Sequence, residues 1–202
     1  RRQRQMCIRD SAGSTEGTGK EAATAKLSED GVQEINQDME TTVDGLIRQF
    51  EDTLSEEGYH GLHVSQEVVT DNAQYYTVKL SALETEASGY EHNQFYTIDK
   101  QTGNVVALSD LFAEGSDYIS VISENIKTQM REQMVADEGV IYFLDDEDMP
   151  EFNFQSITEQ TNFYFNESGE LVIAFDEYEV APGYMGAPEF VIPQKVTAGL
   201  LK

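Results

Sequence analysis

His60, His63 and His92, with Glu91 beside the last, are residue types that ligate zinc, because imidazole and carboxylate both suit that ion. His60 and His63 fall where a helical pattern gives way to a strand pattern, so their rings share no face on which to converge, and all three read as surface histidines. The run Asp145, Asp146, Glu147 and Asp148 offers hard oxygen donors for calcium. It lacks the alternating spacing, the glycine and the distant glutamate of a calcium loop, and reads as a solvated acidic segment. Asp176, Glu177 and Glu179 would supply the carboxylate pair of a glycosidase, but the chain has no Trp to line a sugar cleft. No nucleophile elbow, zinc-protease helix signature, phosphate-binding loop or dinucleotide glycine fingerprint occurs. The expectation is a protein that is not an enzyme and uses neither metal nor cofactor.

A different kind of chemistry is offered by Pro182, Gly183, Tyr184, Met185 and Gly186. Proline fixes φ, the glycines permit a sharp bend, and Tyr184 and Met185 cannot both tuck beneath so tight a turn. Tyrosine is a common anchor of protein interfaces, since its ring contributes a large contact area at little rotamer cost and keeps a hydroxyl free. The residues alone leave two readings open: a projecting contact, or a turn whose tyrosine caps its own core.

The elements that must position this turn are legible from periodicity. Val32, Ile35, Met39, Val43, Leu46, Ile47, Phe50 and Leu54 recur every three or four residues, which predicts an amphipathic helix over 29–57, with Ser28 as N-cap and Gly58 as stop. Runs at 62–70 and 74–85 joined by Asp71, Asn72 and Ala73 predict a hairpin, and runs at 94–99 and 104–108 joined by residues 100–103 predict a second. A second helix is expected over 116–137, then a hairpin of 158–166 and 170–176, a strand at 189–192 and a short helix from Pro193. The fold class is α+β: mostly antiparallel sheet packed against two long helices, in two small modules.

The bulk numbers narrow the partner. With 38 acidic and 13 basic residues in 202, the formal charge is −25. That charge repels phosphate backbones and anionic lipid, and attracts basic proteins. Nucleic acid is not expected as a partner. No run of about 18 apolar residues is present to span a membrane. Residues 1–10, RRQRQMCIRD, back-translate to a common transposase sequencing adapter in one frame, and are expected to be an artefact. Those ten hold four arginines, one aspartate and the only cysteine, so the remainder has 37 acids against 9 bases, a charge of −28, and no thiol chemistry. Residues 11–26 are small, polar and aperiodic, as a flexible linker is.

Three strings, FYTIDKQTGNVVALSDLF, DYISVISENIKTQMREQM and LVIAFDEYEVAPGYMGAPEFVIP, resemble the extracellular region of the anti-sigma-V factor (RsiV) family of Firmicutes. The resemblance runs from about Leu27 to Lys202. It implies a front module, 27–112, like the domain preceding some peptidoglycan deacetylases, and a C-terminal module, 113–202. It further implies the outer domain of a single-pass membrane receptor on the extracellular face of the membrane, which binds lysozyme. Binding would expose a site to signal peptidase, with intramembrane proteolysis and sigma factor release to follow. The contact residues it implies are Pro182 and Tyr184, flanked by Gly183 and Met185, together with Ser88, Gly89 and Tyr90. The sigma factor would meet a cytoplasmic segment that, like the membrane helix, is expected to be missing here. Lysozymes of the animal c type are strongly basic, in accord with the charge. Two alternatives stay open: a peptidoglycan-binding or accessory module of a deacetylase, and a secreted lysozyme inhibitor.

Overall fold

The computed structural model describes residues 27, 29–53, 60–85 and 89–202. The first helix, α1 (Glu29–Thr53), starts with Glu29 and Asp30, carboxylates placed where the helix dipole favours negative charge. Ile35 and Met39 on its stripe are fully buried, with Val32 and Val43 packed partly alongside. Ser28 and residues 54–58, proposed as the ends of this helix, lie outside the described residues.

Three long strands follow: β1 (Gly61–Asp71), β2 (Tyr75–Thr85) and β3 (Gly89–Asp99), antiparallel in that order. The β1–β2 turn forms because the Asn72 carboxamide oxygen accepts the N–H of Gln74 at 2.9 Å and of Tyr75 at 2.7 Å. Strand residues alternate faces. Val78 and Leu80 of β2 and Tyr96 and Ile98 of β3 form one core cluster with Ile35 and Met39 of α1. On the opposite face the buried Thr77 and Thr97 bond hydroxyl to hydroxyl at 2.9 Å, so neither polar group is left unmet.

Residues 104–108, expected as a strand, form only a single bridge between Val105 and Ile98. The Asp110 carboxylate accepts the N–H of Ala107 at 2.9 Å and winds Leu108–Leu111 into a 3₁₀ turn, which ends pairing after one rung. Helix α2 (Tyr118–Ala136) then buries Tyr118, Ile122, Ile126 and Met130, four residues apart. Strands β4 (Asn162–Phe165), β5 (Leu171–Ala174) and β6 (Glu189–Ile192) form a second antiparallel sheet, and α3 (Gln194–Thr197) follows. The hairpin strands are shorter than the 158–166 and 170–176 expected. Thr158 and Thr161 at one end bond to each other instead of to a partner strand, and at the other the Asn166 side chain accepts the N–H groups of Ser168 and Glu170, which closes the turn there. Phe163, Ile173 and Phe190 lie in register across the sheet and pack into the cluster that contains Ile122, Ile126 and Met130. No helix among the described residues is long and apolar enough to cross a membrane.

Side chains join the two sheets. Thr70 stands at the end of β1 as a substitute rung, its hydroxyl donating to the Phe165 carbonyl at 2.7 Å and accepting the Phe165 N–H at 3.2 Å. Asn162 does the same for β3, donating to the Asn93 carbonyl at 2.8 Å and accepting the Phe95 N–H at 3.3 Å. Stacked pairs fill the joint: Tyr75 on Phe165 at 4.4 Å and Phe95 on Tyr164 at 5.4 Å.

Candidate binding surface

The turn singled out from sequence is built from the backbone outwards. Pro182, at φ −61°, leads into a 3₁₀ turn, Gly183–Met185, closed by hydrogen bonds from Met185 N–H to the Pro182 carbonyl (2.9 Å) and from Gly186 N–H to the Gly183 carbonyl (3.0 Å). Gly186 leaves the turn at φ 67°, a conformation L side chains seldom adopt. Met185 packs against the C-terminal core, and Tyr184 points outwards, 66% exposed. The Tyr184 hydroxyl donates to the Gly139 carbonyl at 3.1 Å, which holds the ring above the turn that follows α2.

Of the other proposed contact residues, Ser88 lies outside the described residues. Gly89 and Tyr90 open β3, where Gly89 stands opposite Thr85 and Tyr90 is 41% exposed. The link between the two segments is Tyr178, which no sequence signal marked. Its backbone is left-handed at φ 65°, its side chain is 49% exposed, and its ring stacks on Tyr90 at 6.2 Å with 27° between planes. The hydroxyl end of the same ring lies against Gly183, so close that a Cβ there would sit 2.2 Å from the Tyr178 Cζ. Tyr90 and the turn that carries Tyr184 are therefore connected through one ring.

The carboxylates considered for catalysis are occupied otherwise. One Asp176 oxygen accepts the Asn93 N–H at 2.8 Å and the other faces His92 Nδ1 at 2.5 Å, while Glu177 accepts the Glu91 N–H at 2.8 Å. Glu179 accepts the N–H of Asp176 at 2.9 Å. These acids cover the exposed rim of β3 and surround Tyr90 with negative charge. Burial first, then Asp176, Glu179, Glu177 and Glu84, raise the Tyr90 phenol above its ordinary value. Burial pushes Glu179 up as well, against the hydrogen bond from the Asp176 N–H, which pulls it down. Among the described residues no three His, Cys, Asp or Glu side chains come together as a metal site. His63 is exposed on β1, and the acidic segment is solvated, with Asp145 paired to Arg131 at 2.7 Å.

The hydrogen bond that His92 donates to Asp176 raises His92 above the ordinary histidine value. The stability this pair contributes is therefore fully present below about pH 6.5 and is lost as the pH rises through the raised folded-state value. Thermal melts between about pH 6 and pH 9 are expected to show Tm falling with pH, and His92→Gln to remove that part of the slope. A slope unchanged by the substitution would assign it to other groups.

Comparison with known proteins places this geometry in a class. Residues 109–195 match the family described as "Protein of unknown function (DUF3298)". Two solved structures share the fold at low identity. The first, a DUF3298 family member from Bacteroides fragilis, has a TM-score of 0.51 and 18% identity over 84% of this chain and 66% of that one. A DUF3298 family protein from Pseudomonas aeruginosa has a TM-score of 0.58 and 22% identity over 78% and 68%. The class is thus one of fold, the α+β fold that these two structures share with the chain. Within it, the chain is 41% identical over 158 residues to the anti-sigma-V factor RsiV of Bacillus subtilis, covering 77% of this chain and 54% of that protein. Over the region they share the chain is similar to that factor, and it spans about half the length of that relative.

Proposed function

We propose that these residues are the extracellular sensor of an anti-sigma factor, and that the sensor captures lysozyme. Capture triggers regulated proteolysis on the outer side of the membrane, and a sigma factor held by a cytoplasmic segment is then released. Residues 27–112 and 113–202 act as the two modules of this sensor. Kinship with RsiV supports the anti-sigma role, and the net charge of −25 suits a strongly basic protein ligand. The single observation that carries the reading is the projecting Tyr184, an exposed aromatic on an uncharged, backbone-braced turn within an acidic domain. Charge brings the ligand in, and the turn makes the desolvated contact that fixes register.

Calorimetric titration with hen egg-white lysozyme tests this. Replacing Pro182 and Tyr184 together by Ala is expected to weaken binding at least tenfold, about 1.4 kcal/mol. Tm is expected to shift by no more than roughly 2 °C, because Tyr184 contributes little to the core. Unchanged affinity would remove the turn from the contact, and a wild-type chain that binds no lysozyme would overturn the reading.

A further inference from the structure

We infer that Tyr178 is a further recognition residue, which joins Tyr90 and the 182–186 turn into one aromatic strip that receives a cationic side chain of the bound protein. The inference rests on the lysozyme reading and adds to it a residue and a chemistry. Three observations carry it. The Tyr178 ring is in stacking contact with Tyr90 and in van der Waals contact with Gly183 at its hydroxyl end, so it bridges two segments from opposite halves of the chain. Its backbone at φ 65° is one that glycine would occupy without strain, and yet a large aromatic stands there half exposed. A turn that needed only to reverse direction would have no use for that ring.

The third observation is electrostatic. Glu84, Asp176, Glu177 and Glu179 all act on the Tyr90 end of the strip. His92, which could carry positive charge there, is held by Asp176. Aromatic faces within negative potential suit a guanidinium or ammonium group, which the ring quadrupole and the carboxylates attract together. The occupant is thus an Arg or Lys on the surface of a basic protein.

Surface plasmon resonance of the whole chain with hen egg-white lysozyme, alongside thermal melts, tests the inference. Tyr178→Gly is expected to raise the dissociation rate at least tenfold and to change the association rate by less than about threefold, since long-range steering is untouched. Its Tm should stay level or rise, as strain is relieved. Tyr178→Phe should bind within about twofold of wild type, because the ring face is kept. Gly183→Ala, which drives its new Cβ into the ring, should weaken binding in the wild-type background and add nothing to Tyr178→Gly. Wild-type affinity in Tyr178→Gly would overturn the inference while leaving the lysozyme reading standing. A Tm loss that accompanies the affinity loss in Tyr178→Gly would also overturn it, by making the role structural. A wild-type chain that fails to bind removes the parent reading instead.

Discussion

Phe190→Ala is expected to lower the free energy of unfolding by about 3–5 kcal/mol, read as a lower urea midpoint with little change in slope. Phe190 sits on β6, 1% exposed, and meets Tyr142 at 5.5 Å and Phe175 edge-on at 5.9 Å. In register it faces Ile173, itself fully buried, and shares the cluster with Ile126 and Met130 of α2. Truncation there removes a ring from the meeting point of helix, sheet and the segment leading to the 182–186 turn. The surrounding side chains belong to three different elements, so they cannot all relax into the space at once. The neighbouring residue provides the contrast. Val191 lies on the other face of β6, 40% exposed, and its Ala variant should cost no more than about 0.5 kcal/mol. Equal losses at the two positions would mean that the alternation assigned to β6 is wrong.

That alternation was readable beforehand, and so was much else that depends on local pattern. The stripe of α1, the turn at Asp71, Asn72 and Ala73, and the strand at 189–192 all follow from spacing and turn chemistry, and each is found in the structure. Features set by distant partners were not readable. Residues 89–93, GYEHN, carry no apolar alternation, and they extend because β2 offers a partner for every one of them. Conversely, residues 104–108 look like a strand, but the 3₁₀ turn that follows draws them off after one rung. In the candidate surface, Pro182 to Gly186 could be recognised as a tight turn because proline and glycine dictate local geometry, while the outward direction of Tyr184 was not legible from the residues. Tyr178 could not, because a left-handed tyrosine has no sequence signature and its meaning lies in contacts with Tyr90 and Gly183.

Asp176 illustrates the same limit from the side of charge, and it makes the second large expectation. As a sequence element it offered a catalytic carboxylate. In the fold its side chain is the acceptor for the Asn93 N–H and the partner of His92, where β3 meets the C-terminal half. Asn93 is buried, so Asp176→Ala leaves its N–H in a place that water reaches poorly, a loss of about 1–3 kcal/mol from that group alone. Losing the His92 partner adds a smaller amount at low pH, because His92 is partly exposed and solvent screens the pair, so the loss is expected to be larger near pH 6 than near pH 9. Asp176→Asn keeps a carbonyl oxygen for the Asn93 N–H and should cost roughly half as much. Because Asp176 lies two residues before Tyr178 and contacts β3 three residues after Tyr90, the same change loosens the register between the two rings. Asp176→Ala is therefore expected to weaken the proposed lysozyme binding well beyond the loss of one negative charge, and the deficit should persist at high salt, where a purely electrostatic contribution is screened. If affinity returned to the wild-type value as salt was raised, Asp176 would act on the ligand through its charge alone and not by holding Tyr90 and Tyr178 together.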